Sequence, residues 1–88
     1  MNNLDSVIFI ESLPTIDLHG FDRDTARVLV NSFIKDNIVL KNKIICIVHG
    51  IGSGIIKTEV HNTLRKNSNV EEFKLFYNNV GTTIVKLK

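Results

Sequence analysis

Ile44-Ile45-Cys46-Ile47-Val48-His49-Gly50-Ile51-Gly52-Ser53-Gly54 is the stretch on which the fold turns. Its first five residues are wholly apolar, the mark of a strand covered on both faces, as parallel strands in α/β proteins are. Glycine alternates through the next part, and then Ile56, Val60 and Leu64 recur at helical spacing up to Arg65-Lys66-Asn67. Strand, glycine loop, helix is the expected order.

The same pattern stands upstream in a shorter form. Thr15 to Leu18 is a brief β-branched and aliphatic run that stops at His19-Gly20, and Asp22 occupies the position of a helix N-cap. Ala26, Leu29, Val30, Phe33 and Ile34 then fall on one helical stripe, which should end between Asn37 and Leu40. Downstream, Val70 to Tyr77 and Thr82 to Leu87 read as strands joined through the turn-forming Asn78-Asn79-Val80-Gly81. Phe73 and Tyr77 should share one face of their strand and Phe76 the other. Val7 to Ile10 reads either as a short edge strand or as a partly ordered arm before Pro14. The expectation is β-α-β-α-β-β in one domain over residues 15–88, with 1–14 as an arm or edge strand.

Two strands joined by a helical crossover run parallel, so residues that follow each strand meet at one edge of the sheet. Asp17-Leu18-His19-Gly20 and His49 to Gly54 therefore face the same side. In open α/β sheets that edge, next to helix N-termini, is where ligands bind. Glycine lets backbone amides turn toward an anion, and the helix behind adds a partial positive charge. Ser53 can donate a hydroxyl hydrogen bond, and Lys57 lies one turn into the second helix. Gly50-x-Gly52-x-Gly54 is neither the dinucleotide fingerprint nor, lacking Gly-Lys-Ser/Thr, a Walker A loop.

Asp17, His19 and His49 bring acid–base chemistry to this edge. A carboxylate can activate water or hold a metal, and a histidine can move a proton to a leaving oxygen, the two roles that phosphodiester cleavage needs. A plainer reading has Asp17 satisfying turn amides and the histidines acting as hydrogen-bonded strand caps. One carboxylate with neighbouring histidines is too few ligands to name an ion, so Mg²⁺ or Mn²⁺ at Asp17 is compatible without being specified. On the second helix, His61 at i+4 from Lys57 is read as solvated or as extending a basic stripe. Arg23 and Arg27 share a face that could touch phosphate, although pairing with Asp24 or other acids accounts for them as well.

Composition bounds the partners. Eleven basic against nine acidic residues give a formal charge of +2, so any polyanion contact must be local. Without Trp and with one Tyr, the chain lacks the aromatic density of a base-stacking platform. Its single cysteine rules out an internal disulfide or a cysteine-built zinc site and fits a reducing cytoplasm. The start lacks a basic n-region, and no apolar stretch has the length of a membrane span, so no membrane partner is expected.

The two motifs together resemble the Smr (Small MutS-Related) domain family. Ile16-Asp17-Leu18-His19-Gly20 is similar to its L-D-L-H-G signature, and His49 to Gly54 to its H-G-x-G-[ST]-G loop. Ile55-Ile56-Lys57 resembles the stretch after that loop, and Gly81-Thr82-Thr83-Ile84-Val85 the closing strand. The resemblance implies a two-layer α/β sandwich with a mixed four-stranded sheet, similar to the C-terminal domain of the third bacterial translation initiation factor. It also implies nucleic-acid binding, RNA or DNA, with endonuclease or nicking activity in many members. In those terms Asp17 and His19 are tied to cleavage, and His49, Gly50, Gly52, Ser53, Gly54 and Lys57 to holding the phosphate. Binding to nucleic acid or a ribosomal surface without cleavage is the alternative. Position 51 is Ile where many members carry Lys or Arg, which leaves Lys57 as the cation of that loop.

Overall fold

The computed structural model describes residues 12–76 and 79–88. The arm expected at 7–10 and the face expected of Tyr77 lie outside them. Six elements follow in the order β1 (Thr15–Asp17), α1 (Arg23–Val39), β2 (Ile44–Val48), α2 (Ile55–Lys66), β3 (Val70–Phe76) and β4 (Asn79–Leu87). They build one four-stranded sheet of order β1-β2-β4-β3, in which β1 and β2 are parallel and β4 runs antiparallel to both its neighbours.

Both helices lie on one face of this sheet. Ile45 and Ile47 of β2 and Val85 and Leu87 of β4 enter one core with Ala26, Val30 and Ile34 of α1 and Val60 and Leu64 of α2. The stripe spacing of each helix thus meets alternate residues of the two central strands. Truncating such a side chain to Ala costs about 2–5 kcal/mol, a large share of the stability of so small a domain. On the opposite face Phe76 and Ile84 are buried with Ile44 packed against them. Phe73, packed against the helix-side core, points the other way from Phe76, as alternation requires. Strand β2 is buried on both sides, since Ile45, Cys46 and Ile47 are all inaccessible. Its neighbours are nonetheless one parallel and one antiparallel strand, so the wholly apolar run marks a central strand of a mixed sheet.

Register places the functional residues. Asp17 stands opposite Val48, and Val48 opposite Thr82, so these three share the helix-free face. Ile16, Ile47 and Thr83 form the next row, on the face that carries the helices.

The boundaries differ from expectation at one turn. Strand β4 begins at Asn79, so Asn79, Val80 and Gly81 belong to the strand rather than to the connection. The reason lies in pairing across the sheet: Asn79 stands opposite Phe76, and the Gly81 carbonyl accepts the amides of His49 and Gly50, both at 2.9 Å. Turn-type residues are held extended here by long-range hydrogen bonds.

Candidate nucleic-acid interface

The carboxyl ends of β1 and β2 meet at one edge. The Leu18 amide donates to the Val48 carbonyl at 2.8 Å, so pairing continues to the last residue before each glycine turn. After β1 the chain bends through Gly20 and enters α1 at Asp22, whose carboxylate accepts the Thr25 amide at 2.8 Å. That hydrogen bond holds the Asp22 carboxyl below its usual range. After β2 it bends at Gly50, with φ of 82°, and enters α2 at Gly54, with φ of 85°. Both are left-handed positions that strain any residue with a Cβ.

The two helix starts differ in kind. A carboxylate closes the N-terminus of α1, and Asp24 follows in its first turn. The Gly54 cap of α2 brings no side-chain hydrogen bond, and its first turn holds no acid. Its leading amides and the partial positive charge of the helix therefore face the loop. A hollow of about 180 Å³ opens there, lined by the loop from His49 onward and by Lys57. Ser53 is exposed and Lys57 half-buried. Ile51 is 70 % exposed at the tip of the loop.

Strand β4 clamps the start of this loop. A Cβ on Gly81 would lie 3.2 Å from Asn79 Oδ1 and 3.3 Å from both the Cα and the carbonyl carbon of Gly50, so a side chain there would press on the residue that makes the double hydrogen bond. This explains a glycine at the head of the closing strand that loop chemistry alone does not require.

Asp17 and His19 occupy the other turn. The His19 amide donates to Asp17 Oδ1 at 2.9 Å, while the His19 imidazole is exposed and makes no hydrogen bond among the described residues. Asp17 projects from the helix-free face. His49 turns the opposite way, is only 8 % exposed, and has both ring nitrogens engaged, Nδ1 with the Gly50 carbonyl at 2.9 Å and Nε2 with Thr83 Oγ1 at 2.8 Å. The two strand ends thus share an edge but send their side chains to opposite sides. His49 serves the loop from within and does not present a free ring nitrogen to a ligand.

His61 corrects the reading of a solvated helix residue. Its Nε2 lies 2.8 Å from the same Thr83 Oγ1, its ring sits 5.8 Å from that of His49 edge-on, and Phe73 packs 5.0 Å from it. Burial first, then the electrostatic effect of the nearby His49, Arg65 and Lys57, lowers its pKa to about 4. Burial lowers that of His49 as well. Thr83 was invisible to motif reasoning because a threonine inside an apolar strand carries no spacing signal. The hint for His61 was its place beside the Val60–Leu64 stripe, at the margin of the buried face. Arg27 pairs with Asp24 at 3.0 Å and with Glu59 at 3.7 Å, and Arg23 approaches Glu59 at 4.0 Å, so neighbouring acids account for both.

No three His, Cys, Asp or Glu side chains converge to hold a metal among the described residues. Nor is any described helix long and apolar enough to cross a membrane.

Comparison with known proteins joins these features. The family model of the Smr domain matches residues 16–88, spanning both glycine turns, the clamp at Gly81 and Thr83. This chain belongs to the Smr domain family. Among its relatives, Endonuclease MutS2 of Clostridium kluyveri is 34 % identical over 77 residues, 84 % of this chain and 10 % of that protein. Endonuclease MutS2 of Aquifex aeolicus is 34 % identical over 82 residues, 90 % of this chain and 11 % of that protein. The Smr chain thus spans about a tenth of the length of these curated relatives. The Smr domain of Thermus thermophilus MutS2 superposes with a TM-score of 0.84 at 24 % identity, covering 86 % of this chain and 99 % of that one. YdaL, a stand-alone small MutS-related protein from Escherichia coli, gives 0.80 at 20 % identity, covering 84 % and 63 %. These two likenesses establish the shared α+β fold.

Proposed function

We propose that this Smr domain binds the sugar–phosphate backbone of RNA or DNA at the edge formed by its two glycine turns and cleaves a phosphodiester bond there. The observation that carries the reading is the parallel pairing of Asp17 with Val48, because it brings the Asp17–His19 turn and the His49–Gly54 loop to one sheet edge. In this reading the amides of the loop and of the α2 start hold a non-bridging phosphate oxygen, with Ser53 and Lys57 adding a hydroxyl and an ammonium. Asp17 orients or activates the attacking oxygen, and the exposed imidazole of His19 transfers a proton as general acid or base. The relatives named as endonucleases support the activity class. The working unit is residues 15–88, and the cytoplasm is its setting. A divalent ion would draw on Asp17 and on substrate phosphate.

Binding without cleavage is the second reading. It is favoured by the hydrogen bond that Asp17 Oδ1 already accepts from its own turn and by Ile51 at the loop tip. Purified protein incubated with end-labelled RNA and DNA, with and without Mg²⁺ or Mn²⁺, separates the two. Internal cleavage that falls by about 10²-fold or more in Asp17→Ala and His19→Ala supports catalysis at this turn. Cleavage unchanged in both variants overturns the assignment, and salt-dependent binding with no product under any condition selects the second reading.

A further inference from the structure

The hydrogen bonds around Thr83 fix the direction of every proton in them. A carbonyl oxygen can only accept, so the contact between His49 Nδ1 and the Gly50 carbonyl requires the proton on Nδ1. In a neutral ring Nε2 is then an acceptor, and the Thr83 hydroxyl must donate to it across 2.8 Å. Thr83 has one hydroxyl proton. Its oxygen therefore accepts from His61, whose Nε2, also at 2.8 Å, carries the ring proton. The chain runs one way, from α2 through β4 to the loop. Thr83 is fully buried and His49 nearly so, so a lost partner would leave a buried polar group unpaired. Burial disfavours a charge on either imidazole, so the neutral pattern persists at physiological pH.

We infer that Thr83 and His61 are positioning residues for the glycine loop: through one hydroxyl they hold His49 in the tautomer that donates from Nδ1 to the Gly50 carbonyl. That carbonyl belongs to the left-handed residue at which the chain leaves β2. Its orientation determines where the following amides point. The Gly81 carbonyl holds the same residue from the other side through the Gly50 amide. Side chain and backbone together leave the Gly50 peptide one orientation. An imidazole of the opposite tautomer would turn a lone pair against the Gly50 oxygen and release the bond.

The test reads the imidazoles directly, on the 88-residue chain labelled with ¹⁵N. The expected spectrum has His49 protonated on Nδ1 and His61 on Nε2, with exposed His19 as the averaging reference. Thr83→Val, close in shape, should mix the His49 tautomers and shift the amide resonances of residues 50–54, whereas Thr83→Ser should restore both. If Thr83→Val does not fold, His61→Phe serves, since removing the donor to Thr83 should also move the His49 ring signals. Resting on the nucleic-acid reading above, a labelled oligonucleotide should bind about fivefold more weakly to Thr83→Val and normally to Thr83→Ser. His49 protonated on Nε2 in the wild type, loop amides indifferent to Thr83→Val, or a folded Thr83→Ser behaving like Thr83→Val would each overturn the inference. A wild-type domain that binds no oligonucleotide refutes the functional reading instead, and the ring and amide signals still decide this one.

Discussion

Thr82 and Thr83 are neighbours on β4, both fully buried, yet they point to opposite faces and have opposite hydrogen-bonding fates. Thr83 joins two imidazoles, while Thr82 Oγ1 has no partner among the described residues. A buried hydroxyl without a partner costs its desolvation and returns nothing. Thr82→Val should therefore raise stability by about 1 kcal/mol, measured by urea unfolding. The imidazoles set the response to acid. In the unfolded chain each takes up a proton near the ordinary value of 6.5, whereas folded His61 resists until about 4 and folded His49 also titrates below 6.5. The stability that these two neutral imidazoles contribute is thus fully present above about pH 6.5 and declines as the pH falls toward 4, because across that window the unfolded state binds more protons than the folded one. Thermal melts between pH 7.5 and 4.5 should show this decline, with a shallower slope in His61→Phe. At this scale, Asp17, His19 and the loop residues were legible because glycine after a β-branched run signals a strand end. The partnership of His61 with Thr83 was not, since it joins residues 22 positions apart that only the packing of α2 on β4 brings together.

Elements were legible in proportion to the regularity of their local signals. The Asp22 cap and the Ala26–Val30–Ile34 stripe identified α1, and the apolar run identified β2 residue for residue. The starts and ends of the less regular elements were set by non-local contacts, as where the Gly81 clamp draws Asn79 into β4. The end of α1 is another such case. Lys41 adopts φ of 62°, and its amide donates to the Ile38 carbonyl at 3.0 Å, so a lysine fills the left-handed position that usually belongs to glycine. Buried Asn37 secures the exit by accepting Asn42 Nδ2 on its side chain and the Asn42 amide on its carbonyl. Lys41→Gly should raise stability by about 0.5–1 kcal/mol, the strain relieved outweighing the extra freedom of the unfolded chain. An unchanged unfolding midpoint would show that the turn bears no such strain.

Across the whole molecule, the arrangement of strands decides what the edge can do. Element order alone leads to the parallel pair and its shared edge. Register is a property of the assembled sheet, and it sends Asp17 toward the helix-free face while His49 turns inward to Thr83. The site we propose is accordingly divided: one exposed turn bears the acid–base groups, and one loop, joined to β4 and α2 through Thr83, offers backbone amides and Lys57. A larger groove of about 380 Å³ lies between α1 and α2, bordered by Arg27, Asn31, Asn62 and Lys66 but also by Glu59, which pairs with Arg27. The most direct test of the central claim is an NMR titration of the ¹⁵N-labelled domain with short RNA and DNA oligonucleotides at two salt concentrations. The account predicts shifts concentrated at residues 17–23 and 49–57, weakening as salt rises. Shifts centred on Arg27, Asn31, Asn62 and Lys66, with the two glycine turns unmoved, would contradict it.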